Sequence, residues 1–201
     1  MAKEEKIVKY MDIPIQHVSG RVLTAMGRTG NAQFLKELMA HIREMVPGIV
    51  LRTTVMTGFP GEEEADFVEL CEFMQDVRFE RLGCFAFSPE EGTKAASMPN
   101  QVDEKVKQHR RDIIMEEQAT IAAAYNEAQV GRVLEVLVES YDRYAECWFG
   151  RSAGDAPDID GKVFFTLPEE KSKGVKVRPG DFVQVEITGS MDWDLIGEMC
   201  V

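Results

Sequence analysis

Short apolar runs alternate with longer amphipathic segments from residue 7 to about residue 125, which is typical of βα units that build a parallel sheet. Three strands are predicted at Ile7 to Ile15, Ile49 to Thr57 and Arg81 to Phe87. Helical spacing of apolar residues predicts helices at residues 19–26, 31–46, 62–76 and 103–127. Ser19 and Asn31 precede the first two helices and are the expected N-caps. In the last helix the expected buried stripe is Val106, Ile113, Ile114, Ile121 and Ala122.

At Gly131 the period of the apolar residues changes from about 3.6 to 2, the period of a half-buried strand. Further strands are predicted at Ala145 to Phe149, Gly161 to Leu167, Asp181 to Ser190 and Leu195 to Val201. Five short strands in so few residues predict a small antiparallel barrel or sandwich. We therefore expect an α/β domain over residues 1–127 and a small five-stranded antiparallel β-barrel over residues 128–201.

The first domain contains too few strands for a closed eight-stranded barrel. It also begins on a strand that no preceding element shields. The sequence therefore reads as part of a larger barrel. We expect the strand Ile7 to Ile15 to pair with a strand of another molecule, giving an edge-to-edge dimer.

The chain carries a formal net charge of -12, and both halves are acidic. Residues 1–127 hold 15 basic and 21 acidic groups, and residues 128–201 hold 8 and 14. Such a surface repels phosphate backbones and attracts basic partner proteins, although solubility alone would also explain it. The sequence has no apolar run of the roughly 18 residues that span a membrane, so a cytoplasmic protein is expected. Its cysteines are expected to be isolated, mostly buried thiols: Cys71, Cys84, Cys147 and Cys200.

The segment Gly58-Phe59-Pro60-Gly61 joins a buried strand to a helix that opens with acidic residues. Such a junction directs backbone N–H groups and a helix N-terminus to the carboxyl end of a strand, where α/β proteins bind cofactors. An ordinary βα turn would use the same residues, and the glutamates at 62–64 also suit a helix dipole without any ligand. The strand ends at Gln16-His17 and Phe87-Ser88 should lie on the same rim, which favours a binding site.

Other candidate functional residues also have simple structural explanations. His17 alone is more typical of a structural, hydrogen-bonded histidine, whereas His41 and His109 lie on predicted exposed helix faces. Arg52 could equally form a surface ion pair. The aromatic residues of the second domain could stack on bases, but few basic residues surround them, so core and partner-interface roles are favoured: Tyr141, Tyr144, Trp148, Phe149 and Trp193.

Several motifs, in order, resemble the carboxyl half of the radical S-adenosylmethionine methylthiotransferases. They are residues 10–17 (YMDIPIQH), 26–30 (MGRTG), 51–62 (LRTTVMTGFPGE) and 87–93 (FSPEEGT). Three tail segments resemble the TRAM domain that ends those enzymes, at residues 130–132 (VGR), 178–181 (RPGD) and 194–198 (DLIGE). Within the family, the chain is most similar to the branch that modifies an aspartate of the decoding-centre protein of the small ribosomal subunit. The tRNA-modifying branch is the alternative, and a non-catalytic protein-binding module is the alternative outside the family.

The resemblance implies the last three strands of a partial radical SAM barrel followed by a TRAM domain. It implies S-adenosylmethionine and two 4Fe-4S clusters in the intact enzyme, but the Cys-x-x-x-Cys-x-x-Cys loop is absent from this sequence. No metal ligand or catalytic residue is therefore expected here, and the chain alone should be inactive. The implied partner is a basic ribosomal protein bound by the acidic TRAM domain, with tRNA less favoured. Residues implied in a partial cofactor site are Gln16, His17, Ser19, Arg52, Thr54, Gly58, Phe59, Pro60, Gly61, Phe87 and Ser88.

Overall fold

The computed structural model describes residues 1–168 and 176–200. The chain divides into two compact units. Unit 1 comprises Met1–Glu5 and Met11–Ile121, and unit 2 comprises Lys6–Tyr10 and Ala122–Val201. The predicted domain division between residues 127 and 128 stays a prediction.

Unit 1 is built on a three-stranded parallel sheet in the order β1-β2-β3. The strands are β1 (Tyr10–Asp12), β2 (Val50–Thr57) and β3 (Arg81–Ala86). Four helices accompany them: α1 (Gly20–Ala25), α2 (Ala32–Met45), α3 (Glu64–Val77) and α4 (Glu104–Glu127), the last of which continues into unit 2. A short 3-10 helix spans Ala95–Ser97.

The central strand β2 shows why one face of the sheet is covered. Leu51 and Val55 are fully buried and pack with residues of α2, α3 and α4, such as Met39, Leu70 and Ile114. On the other face of β2, Val50 is also buried, but Arg52, Thr54 and Met56 are only half-buried. The helices therefore cover one face of the sheet, and the other face keeps solvent access.

The predicted elements of unit 1 are confirmed except in their details. The first strand is much shorter than Ile7 to Ile15, and it ends before Pro14, which provides no N–H for a ladder. Asn31 caps α2 by accepting a hydrogen bond from the Phe34 N–H. Ser19 occupies the N-cap position of α1 but makes no capping bond, since its hydroxyl donates to Asp66 instead.

The predicted buried stripe of helix α4 is confirmed at Ile114, Ile121 and Ala122, and Ile113 is half-buried. Val106 is 38% exposed, whereas Lys107, Arg110 and Gln118 are buried with Ile114. These residues follow one another at helical spacing, so the buried stripe also includes two cations that were not expected in it. Their partners are described below.

Unit 2 contains a closed five-stranded barrel in the order β4-β5-β6-β8-β7. The strands are β4 (Val133–Asp142), β5 (Cys147–Ser152), β6 (Val163–Thr166), β7 (Phe182–Met191) and β8 (Asp194–Met199). The apolar core alternates along the strands and includes Val136, Val138, Val163, Phe165 and Ile187. The predicted end of the last strand, Val201, lies outside the described residues.

The barrel was predicted to be antiparallel, but it is mixed. Strand β8 returns from β7 in a hairpin and lies between β7 and β6, where it runs parallel to β6. Alternation of apolar residues reveals which face of a strand is buried, but it does not reveal the direction of the neighbouring strand. The alternation therefore predicted the barrel but not the parallel pairing of β6 with β8.

The aromatic residues of unit 2 divide between core and surface. Trp148 packs against the barrel core and lies 5.1 Å from Tyr141, edge to face. Trp193 is 39% exposed and Tyr144 is fully exposed. The predicted core role therefore fits Trp148, and a partner role for the exposed rings stays a prediction.

The prediction of mostly buried thiols is wrong. All four cysteines are free, but Cys84 alone is buried, while Cys71 and Cys147 are half-buried and Cys200 is exposed. Burial raises the pKa of the Cys84 thiol to about 12 and that of Cys71 to about 11. Within residues 1–168 and 176–200, no helix is both long and apolar enough to cross a membrane.

Candidate functional site

The segments that follow the three parallel strands meet at the carboxyl edge of the sheet. The backbone of Gln16 pairs with β2, since its N–H donates to the Thr54 carbonyl at 2.9 Å and its carbonyl accepts from the Met56 N–H at 2.7 Å. The Phe87 N–H donates to the Thr57 carbonyl at 2.8 Å. The rings of Phe59 and Phe87 lie 5.2 Å apart, edge to face. We call this convergence of residues 16–19, 58–62 and 87–88 the rim.

A buried carboxylate, that of Glu62, ties the rim together. Its Oε2 accepts from the Gly58 N–H at 2.7 Å and lies 3.5 Å from His17 Nε2. Its Oε1 accepts from Arg110 of α4 at 2.7 Å. Because His17 Nδ1 accepts from the Ser19 N–H at 3.0 Å, a neutral ring carries its hydrogen on Nε2, facing Glu62. His17 is therefore buried and hydrogen-bonded through Nδ1, whereas its Nε2 lies near Glu62 without a hydrogen bond.

Arg110 completes this ion pair from the opposite side. Its guanidinium also donates to Glu64 at 2.8 Å and lies 5.2 Å from the centre of the Phe67 ring. Burial acts to lower the pKa of Arg110, but hydrogen bonds to Glu64 and Glu62 outweigh it, so the pKa is raised. Arg110 is held as a cation, and it anchors α4 to the rim.

A second carboxylate, that of Asp66, holds the start of α3. It accepts from the Ser19 hydroxyl at 2.6 Å, from the Glu63 N–H at 2.8 Å and from Arg21. Burial acts to raise the pKa of Asp66, but the hydrogen bonds from Ser19, Glu63 and Arg21 prevail and lower it. Glu63 and Asp66 form a reciprocal capping box at this helix end.

The glycine at position 58 is required by a close approach as well as by its backbone. Its φ is +74°, and an added Cβ would lie 2.1 Å from Cγ of Lys107. Lys107 lies across the turn, with its ammonium 5.3 Å from the centre of the Phe87 ring. Its carbonyl accepts from the Thr57 hydroxyl at 3.1 Å. The first turn of α4 therefore covers the rim.

These contacts correct the expectation that the turn offers its N–H groups to a ligand. The Gly58 N–H is bonded to Glu62, and the Gly61 N–H donates to the Asn100 carbonyl at 2.8 Å. The helix start behind them is capped by the carboxylates of Glu63 and Asp66. The N–H groups of Gly58 and Gly61 are therefore already bonded within the protein, as in an ordinary βα turn.

The open face of the sheet has the solvent access that the junction lacks. Arg52 and Thr54 are half-buried there, and Phe85 is 59% exposed. Arg52 donates to Asp12 at 2.7 Å, so the predicted ion pair exists. Polar side chains and an exposed ring on one face could contact a bound molecule directly.

The structure thus sorts the predicted cofactor residues into two groups. The buried members are His17, Ser19, Gly58, Phe59, Pro60 and Phe87. The half-buried or exposed members are Gln16, Arg52, Thr54, Gly61 and Ser88. The binding role of every one of them stays a prediction, and direct contact is open chiefly to the second group.

Four buried ionic residues of the rim were missed by the sequence reasoning: Glu62, Asp66, Lys107 and Arg110. Residues 62–64 were interpreted together as a helix-dipole feature, but only Glu62 of the three is buried. Its partner Arg110 lies 48 positions away, so no local pattern joins them. The one available signal was the position of Lys107 and Arg110 on the same helical stripe as Ile114.

The cysteines of this chain do not fit an iron–sulfur cluster. They are dispersed between the units, and no two are close in sequence. Within the part of the chain that the structure describes, no three His, Cys, Asp or Glu residues are grouped to hold a metal ion. A cluster in an intact enzyme would need ligands from outside these residues.

Comparison with known proteins identifies the kind of chain this is. Residues 130–200 match the TRAM domain family. The chain is 50% identical, over 98% of its length, to ribosomal protein uS12 methylthiotransferase RimO of Pelotomaculum thermopropionicum. It is 48% identical, over 99% and 97% of its length, to proteins of the same name from Anaeromyxobacter sp. (strain Fw109-5) and Symbiobacterium thermophilum. The chain is therefore similar, along nearly its whole length, to part of the RimO methylthiotransferases.

The resemblance inferred from the motifs is therefore confirmed. The chain spans less than half of these curated relatives, covering 44%, 41% and 39% of their lengths. One solved structure is that of Escherichia coli coproporphyrinogen III oxidase, HemN, which is described as a radical SAM enzyme. The alignment covers 61% of the present chain and 28% of the HemN chain. The TM-score of this alignment is 0.46, at 16% sequence identity.

Proposed function

We propose that this chain is part of a RimO-type radical SAM enzyme that attaches a methylthio group to an aspartate of ribosomal protein uS12 in the cytoplasm. The observation that carries the proposal is identity of 50% to a uS12 methylthiotransferase across 98% of the chain. Motifs of both units contribute to this likeness, so it does not rest on the TRAM domain alone.

The open sheet face would supply part of the wall that holds S-adenosylmethionine. Arg52, Thr54 and Gln16 have side chains or backbone near solvent there, whereas the Glu62–Arg110 pair fixes the rim from behind. S-adenosylmethionine and the clusters would supply radical chemistry in the intact enzyme. The residues of this chain would only bind and orient, and we expect the chain to be inactive by itself.

The acidic TRAM domain would bind the basic substrate protein. Residues 128–201 carry 14 acidic and 8 basic groups, whereas a domain that grips RNA needs a basic face. Opposite charge speeds the encounter with a basic protein and disfavours tRNA, the substrate of the alternative branch.

A titration tests the proposal. Purified uS12 and bulk tRNA are added separately to the fluorescently labelled chain at low salt, and again at raised salt. We expect uS12 to bind more tightly than tRNA and its affinity to fall as salt screens the charges. Tighter binding of tRNA would overturn the assignment to the ribosomal-protein branch.

A second assay tests whether the chain is inactive alone. The chain is incubated with uS12, S-adenosylmethionine and a reductant, and the mass of uS12 is then measured. We expect no mass gain from a methylthio group. A gain would contradict the view that the catalytic clusters need ligands from outside this chain.

A further inference from the structure

The outer surface of the barrel carries an open groove of about 640 Å³. It lies entirely within unit 2, over strands β5, β6 and β8 and beside the end of β7. Residues 164 and 196, and residues 166 and 198, are paired across β6 and β8. Their side chains point away from the buried core, because the alternate residues Phe165 and Leu195 fill it.

The floor of the groove is apolar. Phe164 and Ile196 lie side by side on the paired strands, and Met191 and Cys147 line the groove at its sides. Ile196 is 38% exposed and Met191 is 60% exposed. An apolar floor of this kind loses water when another apolar side chain enters it, which favours binding.

The border of the groove is acidic. Asp142, Asp194 and Glu198 line it, and the described residues of its lining include no lysine or arginine. One oxygen of Asp142 accepts from the N–H groups of Tyr144 and Ala145, and one of Asp194 accepts from the Lys162 N–H. These bonds fix the two carboxylates in place. Glu198 is exposed at the paired position on β8.

Lys162, whose N–H bonds to the border residue Asp194, directs its side chain to an aromatic neighbour. Its ammonium lies 4.4 Å from the centre of the Phe149 ring, which in turn lies 5.8 Å from the Phe164 ring. Among the described residues, the lining carries three carboxylates and no cation, so it repels phosphate and attracts cations. Aromatic floors of single-strand binders combine with basic grooves, and this floor does not.

We propose that this groove binds a basic, extended segment of the protein substrate, with one apolar side chain on the Phe164–Ile196 floor and flanking lysines or arginines near Asp142, Asp194 and Glu198. The inference rests on the proposed function, because it takes the partner to be a basic ribosomal protein. The barrel is closed, so it offers no free sheet edge for strand addition. Recognition must therefore come from side chains.

The test uses two pairs of matched variants of the 201-residue chain. Glu198→Lys reverses a charge on the groove border, and Glu135→Lys makes the same change at an exposed site on β4. Ile196→Thr removes apolar floor, and Val133→Thr makes a like change at a 53% exposed site on β4. Within each pair the substitution introduces the same residue at an exposed strand position, so the change in strand preference is similar for the variant and its control. Amide spectra of each ¹⁵N-labelled variant establish that it is folded.

The probes are purified uS12, a synthetic peptide alternating lysine and leucine, and bulk tRNA. We expect uS12 and the peptide to shift the amide signals of residues 164–166 and 194–198. Glu198→Lys should weaken both by about 3- to 10-fold, and Ile196→Thr by about 5-fold. The controls at Glu135 and Val133 should change either affinity by less than about 2-fold.

The outcomes separate this proposal from the proposed function. If uS12 binds the groove variants as tightly as it binds the unchanged chain, the groove is not its binding site. The proposal that uS12 is the partner is then still supported. If only the lysine–leucine peptide binds, and Glu198→Lys weakens it, the groove stands and the proposed partner fails. If tRNA shifts the groove signals, or if neither uS12 nor the peptide binds, the groove proposal is overturned.

Discussion

The two units of this chain use charge in opposite ways. Unit 1 buries Glu62, Asp66, Lys107 and Arg110 beneath the rim of an incomplete-looking sheet, where each has a hydrogen-bond or ion-pair partner. Unit 2 packs an apolar core inside a closed barrel, and its groove carboxylates lie at the surface. Closure pairs the strand edges of the barrel with one another, whereas the βα junction of unit 1 uses the Glu62 carboxylate to satisfy the Gly58 N–H.

This contrast can be measured because the two units carry different optical signals. Both tryptophans, Trp148 and Trp193, lie in unit 2, so tryptophan fluorescence reports on the barrel. Helices α1, α2 and α3 and most of α4 lie in unit 1, so helical circular dichroism reports chiefly on that unit. Denaturant titrations followed by both signals assign each loss of stability to a unit.

The largest effect is expected from Glu62→Gln. Its side chain is fully buried, and the substitution leaves the nearly buried Arg110 cation without its closest carboxylate. We expect unit 1 to lose about 3–5 kcal/mol of unfolding free energy. The measurement is the midpoint of the circular dichroism transition, with the fluorescence transition of unit 2 unchanged.

Glu64→Gln is the matched control, because Glu64 also accepts from Arg110 but is 75% exposed. Its loss should stay below about 1 kcal/mol. Equal losses of unfolding free energy from the two substitutions would show that burial of the carboxylate does not matter. The buried charges of unit 1 would then not differ in effect from exposed ones.

The second effect belongs to the barrel, through Gly150→Ala. An added Cβ at Gly150 would lie 2.1 Å from the Leu137 carbonyl oxygen on the paired strand β4. The strands must separate, and we expect unit 2 to lose about 1–3 kcal/mol, seen in the fluorescence transition. Gly189→Ala in β7 is the control, since an added Cβ there meets no atom within 4 Å. A comparable loss at Gly189 would point to backbone entropy or strand preference instead of closure.

A smaller effect is expected from Asp66→Asn, and it depends on pH. The pKa of Asp66 in the folded chain lies below its ordinary value of 3.8, so the carboxylate stabilises the fold above that pH. The contribution is lost as pH falls through the lowered pKa. We expect the unchanged chain to exceed the variant by about 1 kcal/mol at neutral pH. Titrations at several pH values should show this gap narrowing below about pH 4. A gap that widened in acid would contradict the lowered pKa.

Local pattern was sufficient for most elements but not for what joins them. Helix α4 was predicted at residues 103–127 and observed at Glu104–Glu127, because its apolar spacing and length are local properties. The Glu62–Arg110 pair spans 48 positions, and nothing near either residue indicates the other. Ser19 was assigned as a cap from local preference, but its hydroxyl bonds to Asp66, a residue that only the fold brings near.

For the candidate site, the sequence predicted which segments meet but not how their hydrogen bonds are satisfied. Parallel strand ends meet at one edge of a sheet, so the sequence could place residues 16–17, 58–61 and 87–88 together. It could not reveal that the turn donors are bonded to Glu62 and to the Asn100 carbonyl, and this decides which residues have access to a ligand. Satisfaction of hydrogen bonds is a property of tertiary structure, and the resemblance to known enzymes carried no information about it.

The smallest effect, that of Asp12→Asn, tests whether the open face of the sheet is solvated. Asp12 accepts from Arg52 at 2.7 Å, and its side chain is 36% exposed. A pair with this access to water should contribute about 0.5 kcal/mol, and raised salt should reduce the contribution. The measurement is the circular dichroism midpoint at low and high salt. A loss as large as that of Glu62→Gln would mean that the face is covered like the rim, and a cofactor could then not approach Arg52 and Thr54 from that side.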